Sequence, residues 1–157
     1  MDTQNAYDIW SGTYDTCINR TRDLEGKAIK QILSEISFKK CVEIGCGTGK
    51  NTEWLCTQAD RVMSVDLSES MLRKAREKVK SDRVDFHQAD INHSWDFIDA
   101  TFDLITFSLI LEHIENLVEV FRKASASLVV GGYVYLGELH PFKQYSGSKA
   151  RFDTENG

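Results

Sequence analysis

The chain has 157 residues, a formal net charge of −5 and 41% hydrophobic residues. This size and composition predict a single globular domain over residues 1–157. The sequence has no apolar run of the roughly 18 residues that a transmembrane helix needs, and its polar N-terminus is unlike a signal peptide. We therefore expect a cytoplasmic protein that does not bind membranes, with its four cysteines as reduced thiols. The net negative charge argues against nucleic-acid binding.

Four amphipathic stretches predict helices, over about residues 22–36, 51–58, 68–80 and 114–128. The apolar face of the first helix repeats every four residues and comprises Leu24, Ala28, Ile32 and Ile36, with Ile29 and Leu33 beside them. Ser68 is expected to be the N-cap of the third helix. The pair Gly131-Gly132 is expected to end the fourth helix, as glycine often does.

Five short apolar runs predict strands, over residues 41–44, 61–66, 84–89, 102–107 and 133–139. Strands that alternate with helices predict an α/β fold with a Rossmann-like, doubly wound parallel sheet. Ligands bind such sheets at the carboxyl ends of the strands. The expected site is therefore built by the loops that follow the first four strands, at residues 45–50, 66–68, 89–92 and 107–113.

A glycine-rich segment, Glu43 to Gly49, lies between the first strand and the following helix. Glycines permit a tight turn and a close approach of ligand to backbone. Asp66 ends the second strand, where a carboxylate typically accepts hydrogen bonds from ribose hydroxyls. The glycine spacing is G-x-G-x-G, so a nicotinamide-dependent oxidoreductase, which needs G-x-G-x-x-G, is a disfavoured alternative. Glu43 suits a cationic ligand, bound either directly through an α-amino group or through the loop backbone.

Taken together, these segments resemble the class I S-adenosylmethionine-dependent methyltransferases, in the small-molecule branch that includes type 11-like, quinone and biotin-pathway enzymes. The matching segments are residues 42–49, 65–72, 88–91, 102–105, 111–114 and 131–132. The resemblance implies the strand order 3-2-1-4-5, S-adenosylmethionine as cofactor, S-adenosylhomocysteine as product and a small-molecule acceptor. Family members usually add a sixth and a seventh strand, which we do not expect within these 157 residues.

The resemblance also implies roles for single residues. The methionine part of the cofactor would lie on the loop of Glu43, Gly45, Cys46, Gly47 and Gly49. Asp66 would bind both ribose hydroxyls, and Leu67 and Met71 would pack on adenine. Asp90 would accept a hydrogen bond from the adenine amino group, with the Ile91 backbone beside it. Ser108 and Leu109 would line the methyl-transfer site.

The N-terminal segment, residues 1–20, resembles the aromatic lid of that branch. Tyr14 and Trp10 would attract the sulfonium cation and exclude water. His113 is the candidate general base, required only if the acceptor keeps its proton at neutral pH. The alternative for His113 is a structural role at the start of a helix, and His140 is a second, weaker candidate base. The histidines lack zinc-ligand spacing, so no metal is expected.

Two classes of function remain open from the sequence. One is an active small-molecule methyltransferase. The other is a cofactor-binding or regulatory module with little turnover, because the C-terminal part of the fold is absent. The fifth strand, over 133–139, would then be an open edge with an uncharged middle. Such an edge predicts a homodimer, pairing with a partner, or coverage by the irregular tail over 141–157.

Overall fold

The computed structural model describes residues 8–9, 11–12, 14–16, 18–140 and 142. Half of the predicted lid, including Trp10, and nearly all of the predicted tail therefore lie outside the described residues. The strands are β1 Lys40–Ile44, β2 Arg61–Asp66, β3 Val84–Gln88, β4 Phe102–Ser108 and β5 Leu128–Gly137. The main helices are α1 Arg20–Leu33, α2 Lys50–Gln58, α3 Glu69–Lys78 and α4 Leu117–Ser127. Within these described ranges, no helix has the length and apolar character that crossing a membrane requires.

The five strands form one parallel sheet in the order β3-β2-β1-β4-β5, which confirms the predicted fold class. Strand β1 is central, and the chain switches from one side of it to the other between β3 and β4. In the register, Ile44 lies between Val65 of β2 and Phe107 of β4. The carboxyl ends of these three strands therefore meet at the switch point, where ligands bind in sheets of this kind.

Apolar side chains cover both faces of the sheet. One face packs against α1 and α2 through Ile29, Leu33, Leu55, Leu104 and their neighbours. The other packs against the 91–100 segment and α4 through Ile91, Trp95, Val120, Ala124 and their neighbours. Because both faces are covered, the middle strands are buried along most of their length, β1 from Cys41 to Ile44 and β2 from Val62 to Val65.

The buried face predicted for the first helix is wrong at two of its positions. Helix α1 buries Glu25, Ile29 and Leu33, whereas Leu24 and Ile32 are 69% and 55% exposed. The apolar residues of this helix cover a wide arc, and only the part that carries Ile29 and Leu33 packs on the sheet and α2. The N-cap predicted at Ser68 is confirmed, since its hydroxyl accepts from the amide of Met71.

The prediction that Gly131-Gly132 ends a helix is also wrong. Helix α4 ends at Ser127, and the glycine pair lies inside β5. Gly131 has φ +81°, and the register between β4 and β5 shifts between Phe102 and Leu104. The glycines therefore allow an irregularity in the strand, which a local sequence pattern cannot distinguish from a helix end.

Candidate active site

A cavity of about 380 Å³ opens at the carboxyl ends of β1, β2, β3 and β4. Ten of the residues predicted from the sequence line it: Tyr14, Gly45, Gly47, Asp66, Leu67, Met71, Asp90, Ile91, Ser108 and His113. Leu109 lines it as well. Glu43, Cys46 and Gly49 do not line the cavity, although all three belong to the glycine loop.

The glycine loop is held against β2 by its own backbone. The amides of Gly45 and Cys46 both donate to the carbonyl of Val65, at 2.8 and 3.0 Å. Gly45, Gly47 and Gly49 have φ values of +77°, +53° and +79°, which residues other than glycine rarely adopt. A Cβ on Gly47 would meet no heavy atom within 4 Å, so the backbone there is open to a ligand.

Two backbone amides orient the Asp66 carboxylate. One carboxylate oxygen accepts from the amide of Gly47 at 2.8 Å, and the other accepts from the amide of Ser68 at 2.9 Å. Burial raises the pKa of this carboxyl above its ordinary value, against the effect of these hydrogen bonds. A carboxylate has about four acceptor positions, so Asp66 has capacity for hydroxyl donors from the cavity side.

Glu43 does not have the position expected from the sequence. Its side chain is buried beneath the glycine loop, where one oxygen accepts from the hydroxyls of Thr52 and Ser64. Burial raises the pKa of Glu43 to about 7. A carboxylate in this place ties β1, β2 and α2 together, and it cannot bind an α-amino group in the cavity directly.

Cys46 and Gly49 also have structural positions. Cys46 is buried, and burial raises the pKa of its thiol well above the ordinary value, which disfavours the reactive thiolate. Gly49 is the N-cap of α2, and a Cβ there would lie 3.1 Å from the Cβ of Ala75 on α3. Both residues therefore support the loop on the side that faces away from the cavity.

One end of the cavity combines apolar surface with a carboxylate. Met71 and Ile91 are almost fully buried, and Leu67 lies beside them at the cavity wall. The Asp90 carboxylate accepts from the backbone and side-chain nitrogens of Asn92, at 2.9 and 2.8 Å. An apolar slot with one acceptor at its rim suits a flat heteroaromatic ring that carries an amino group.

The opposite wall is formed by the segment that follows β4. Leu109 has φ +57°, an unusual conformation for a branched side chain, and its amide donates to the carbonyl of Gly137 at 2.7 Å. Ile110 packs over Gly45, and His113 ends the short 3-10 helix Leu111–His113 rather than starting a long helix. The His113 Nε2 lies 3.7 Å from a carboxylate oxygen of Glu112.

The described part of the N-terminal segment is attached to the loops around the cavity. Asp15 accepts from the hydroxyl of Thr48 and the ammonium of Lys78, both at 2.7 Å. Arg22 donates to the carbonyl of Tyr14, and its guanidinium lies 5.3 Å from the centre of the Tyr14 ring. Burial raises the pKa of the Tyr14 hydroxyl, so the phenol is neutral. These attachments hold the ring at the cavity.

Several cavity residues were missed by the sequence reasoning as ligand contacts. They are Ile44, Val65, Ser68, Ala89, Asn92, Ile110 and Ile114. Most of them lie within or next to the predicted loops, so their positions carried a signal. Asp15 had no local signal at all, because its partners are 33 and 63 residues away. In the described part of the chain, no group of three or more His, Cys, Asp or Glu residues could hold a metal ion.

Comparison with known proteins gives matches across this region. Residues 42–136 match the methyltransferase domain family. The ubiquinone biosynthesis O-methyltransferase of Idiomarina loihiensis is 30% identical over 104 residues, which cover 65% of this chain and 43% of that protein. The chain spans about half the length of the curated relatives that it matches.

Solved structures agree with these sequence matches. An S-adenosylmethionine-dependent methyltransferase from Mesorhizobium loti superposes with a TM-score of 0.66 at 31% identity, over 73% of this chain and 53% of that one. The N-methyltransferase NodS from Bradyrhizobium japonicum, solved with S-adenosylhomocysteine, shares the fold with a TM-score of 0.74 at 19% identity, over 87% and 72%. Since the family match spans more than half of the chain and includes the strands and loops that build the cavity, the chain belongs to the methyltransferase domain family, as its sequence resemblance predicted.

Proposed function

We propose that this chain binds S-adenosylmethionine in the cavity and transfers its methyl group to an oxygen, nitrogen or carbon nucleophile of a small molecule. The observation that carries the proposal is the meeting of three features around one cavity. These features are the open backbone at Gly47, the Asp66 carboxylate at the end of β2, and the apolar slot with Asp90 at its rim. Each matches one part of the cofactor: the methionine, the ribose and the adenine.

In this proposal the cofactor, when bound, supplies a methyl group on a positively charged sulfur. Asp66 accepts from the ribose hydroxyls, Asp90 accepts from the adenine amino group, and Leu67 and Met71 pack on the ring. The two carboxylates also favour a cationic ligand. Tyr14 contributes a ring face for the sulfonium and excludes water from the reacting centre.

The remaining task of the protein is to place the acceptor in line with the methyl group. Ser108 and Leu109 form the wall where the acceptor would lie, and holding two reactants in line supplies much of the rate enhancement in such transfers. His113 lies on the same side and is proposed to accept the acceptor proton where one must be lost. The names of the similar proteins, an O-methyltransferase and an N-methyltransferase, support a hydroxyl or amine acceptor.

Calorimetric titration tests the cofactor assignment. Wild type should bind S-adenosylhomocysteine and not NAD, and Asp66→Ala should lose about 1.5–3 kcal/mol of binding free energy, as for hydrogen bonds to a charged group. Equal affinity of the two proteins would refute the ribose assignment. Labelled S-adenosylmethionine, incubated with phenol, amine and carboxylate acceptors, then tests methyl transfer.

The alternative function is cofactor binding with little turnover. It is favoured by the β5 edge, which no strand covers in the described part of the chain. Cofactor binding without transfer to any acceptor class would support this alternative.

We further propose that residues 1–157 act as one catalytic core domain in the cytoplasm, without nucleic acid. The free thiols of Cys41, Cys46 and Cys56 support that compartment.

For assembly, we propose a homodimer that pairs the β5 edges of two copies. Strand β5 exposes Tyr133, Val134 and Leu136, which are 43–50% accessible, and carries no charge between Leu128 and Gly137. A twofold axis at this edge would pair the two strands, and a twofold contact is the commonest closed assembly. Light scattering over a dilution series should give a dimer for wild type and a monomer for Val134→Lys. A wild-type monomer at every concentration would refute it.

A further inference from the structure

Lys123 on α4 contacts the loop that follows β3. Its ammonium donates to three successive backbone carbonyls, those of Ile91 at 3.2 Å, Asn92 at 3.1 Å and His93 at 2.6 Å. A lysine ammonium has three donors, so these bonds use all of them. A hydrogen bond from a charged donor is stronger than one between neutral groups.

The same loop carries the Asp90 carboxylate. Asp90 accepts from both nitrogens of Asn92, and the amide of His93 donates to the carbonyl of Asp90 at 3.1 Å. Residues 90–93 therefore form one tight turn whose carbonyls at 91, 92 and 93 meet at the Lys123 ammonium. Any displacement of that turn moves the Asp90 carboxylate at the rim of the cavity.

Lys123 connects this turn to a rigid part of the fold. Its helix is packed on the sheet through Val120 and Ala124, each 1% exposed. The turn has a second attachment to the same core, because the indole nitrogen of Trp95 donates to the Ile91 carbonyl at 2.9 Å. The Lys123 ammonium, which does not itself line the cavity, thus fixes the position of the Asp90 carboxylate relative to α4.

We propose that Lys123 is a positioning residue that sets the selectivity of the cavity for a 6-amino purine. This inference rests on the proposed function, in which Asp90 accepts from the adenine amino group. With the turn held, the carboxylate meets the exocyclic amine and rejects a 6-oxo ring, whose oxygen is an acceptor and cannot donate. Without the three bonds, only the Trp95 bond to Ile91 still attaches the turn to the core, so the carbonyls of Asn92 and His93 lose their anchor and this discrimination is weakened.

The test compares two ligands, S-adenosylhomocysteine and S-inosylhomocysteine, by calorimetry. Wild type should prefer the adenosyl ligand by about 10- to 100-fold, as expected when a hydrogen bond to a charged group is lost. Lys123→Met should reduce this preference to about 3-fold or less, and Lys123→Arg, which keeps a charged donor, should retain most of it. Arg122→Met is the matched control, since Arg122 pairs with Glu119 on the exposed side of the same helix.

The preference is a ratio measured on one protein, so a general loss of stability does not imitate the effect. If Lys123→Met does not fold, Lys123→Gln takes its place, because it removes the charge and keeps a polar side chain. An unchanged preference in the folded variant overturns the role of Lys123. If wild type fails to bind S-adenosylhomocysteine, the proposed function fails instead, and the two failures are therefore distinguishable.

Discussion

The strongest structural prediction concerns Gly45→Ala. Gly45 has φ +77°, and an alanine Cβ there would lie 2.3 Å from Cγ2 of Ile110. The left-handed conformation costs an L-residue about 1–2 kcal/mol. Crowding a packed site adds about 1–3 kcal/mol. We therefore expect Gly45→Ala to lower the free energy of unfolding by about 2–5 kcal/mol, measured by urea denaturation.

Two other glycines separate the cost of the backbone conformation from the cost of the steric clash. Gly131 has φ +81° and Gly47 has φ +53°, and a Cβ at either would meet nothing within 4 Å. Both alanine variants should therefore lose only the conformational part, about 1–2 kcal/mol. Gly47 lines the cavity and Gly131 does not. Only Gly47→Ala should therefore also weaken binding of S-adenosylhomocysteine, by roughly 10-fold or more, because the methyl group occupies space that the ligand needs.

The double variant Gly45→Ala with Ile110→Ala checks the clash itself. Removing the Ile110 side chain should recover part of the loss caused by the Gly45 substitution, since the two changes share one contact. The reasoning is refuted if Gly45→Ala is no more destabilising than Gly131→Ala. It also fails if Gly47→Ala and Gly131→Ala have the same affinity for the ligand.

The remaining predictions concern Glu43, His113 and Asp15. The folded-state pKa of Glu43 is about 7, above its ordinary 4.5, so the stability that its protonated form contributes is full below pH 4.5 and is lost as the pH rises through 7. Relative to Glu43→Gln, wild type should lose about 3 kcal/mol of unfolding free energy between pH 4.5 and 8 in urea titrations, and a constant difference would contradict this. His113→Asn should lower turnover about 10²-fold with cofactor affinity intact, whereas joint loss of affinity and thermal stability would show a structural role. Asp15→Ala should speed amide exchange over 14–16, because both of its attachments, to Thr48 and Lys78, are removed.

Most of the fold could be predicted from the sequence because it depends on local patterns. Strands of four to seven residues that alternate with amphipathic helices permit a parallel sheet and little else. The residue types at the ends of β1 and β2 then locate the site, since the carboxyl ends of neighbouring parallel strands must meet. Gly47 and Asp66 can therefore be identified from the sequence alone.

Other features depended on contacts between distant parts of the chain. The sequence predicts that Glu43 suits a cationic ligand, but only the packing of α2 on β1 shows that its side chain turns toward Thr52 and away from the cavity. The exposed position of Leu24 likewise depends on tertiary packing, since the apolar arc of α1 is wider than the surface it packs on and is covered only in part.

The contrast between Asp90 and Lys123 shows why the sequence locates some residues of the site and not others. Asp90 follows a strand, so its place at the sheet edge is a property of the local chain. Lys123 lies 33 residues later on an amphipathic helix, where a lysine is expected to be solvated. Its three carbonyl partners lack any side-chain pattern, because backbone acceptors are the same at every residue. The sequence by itself determined the sheet and the residues at its carboxyl edge, and the tertiary structure decided which distant groups hold those residues in place.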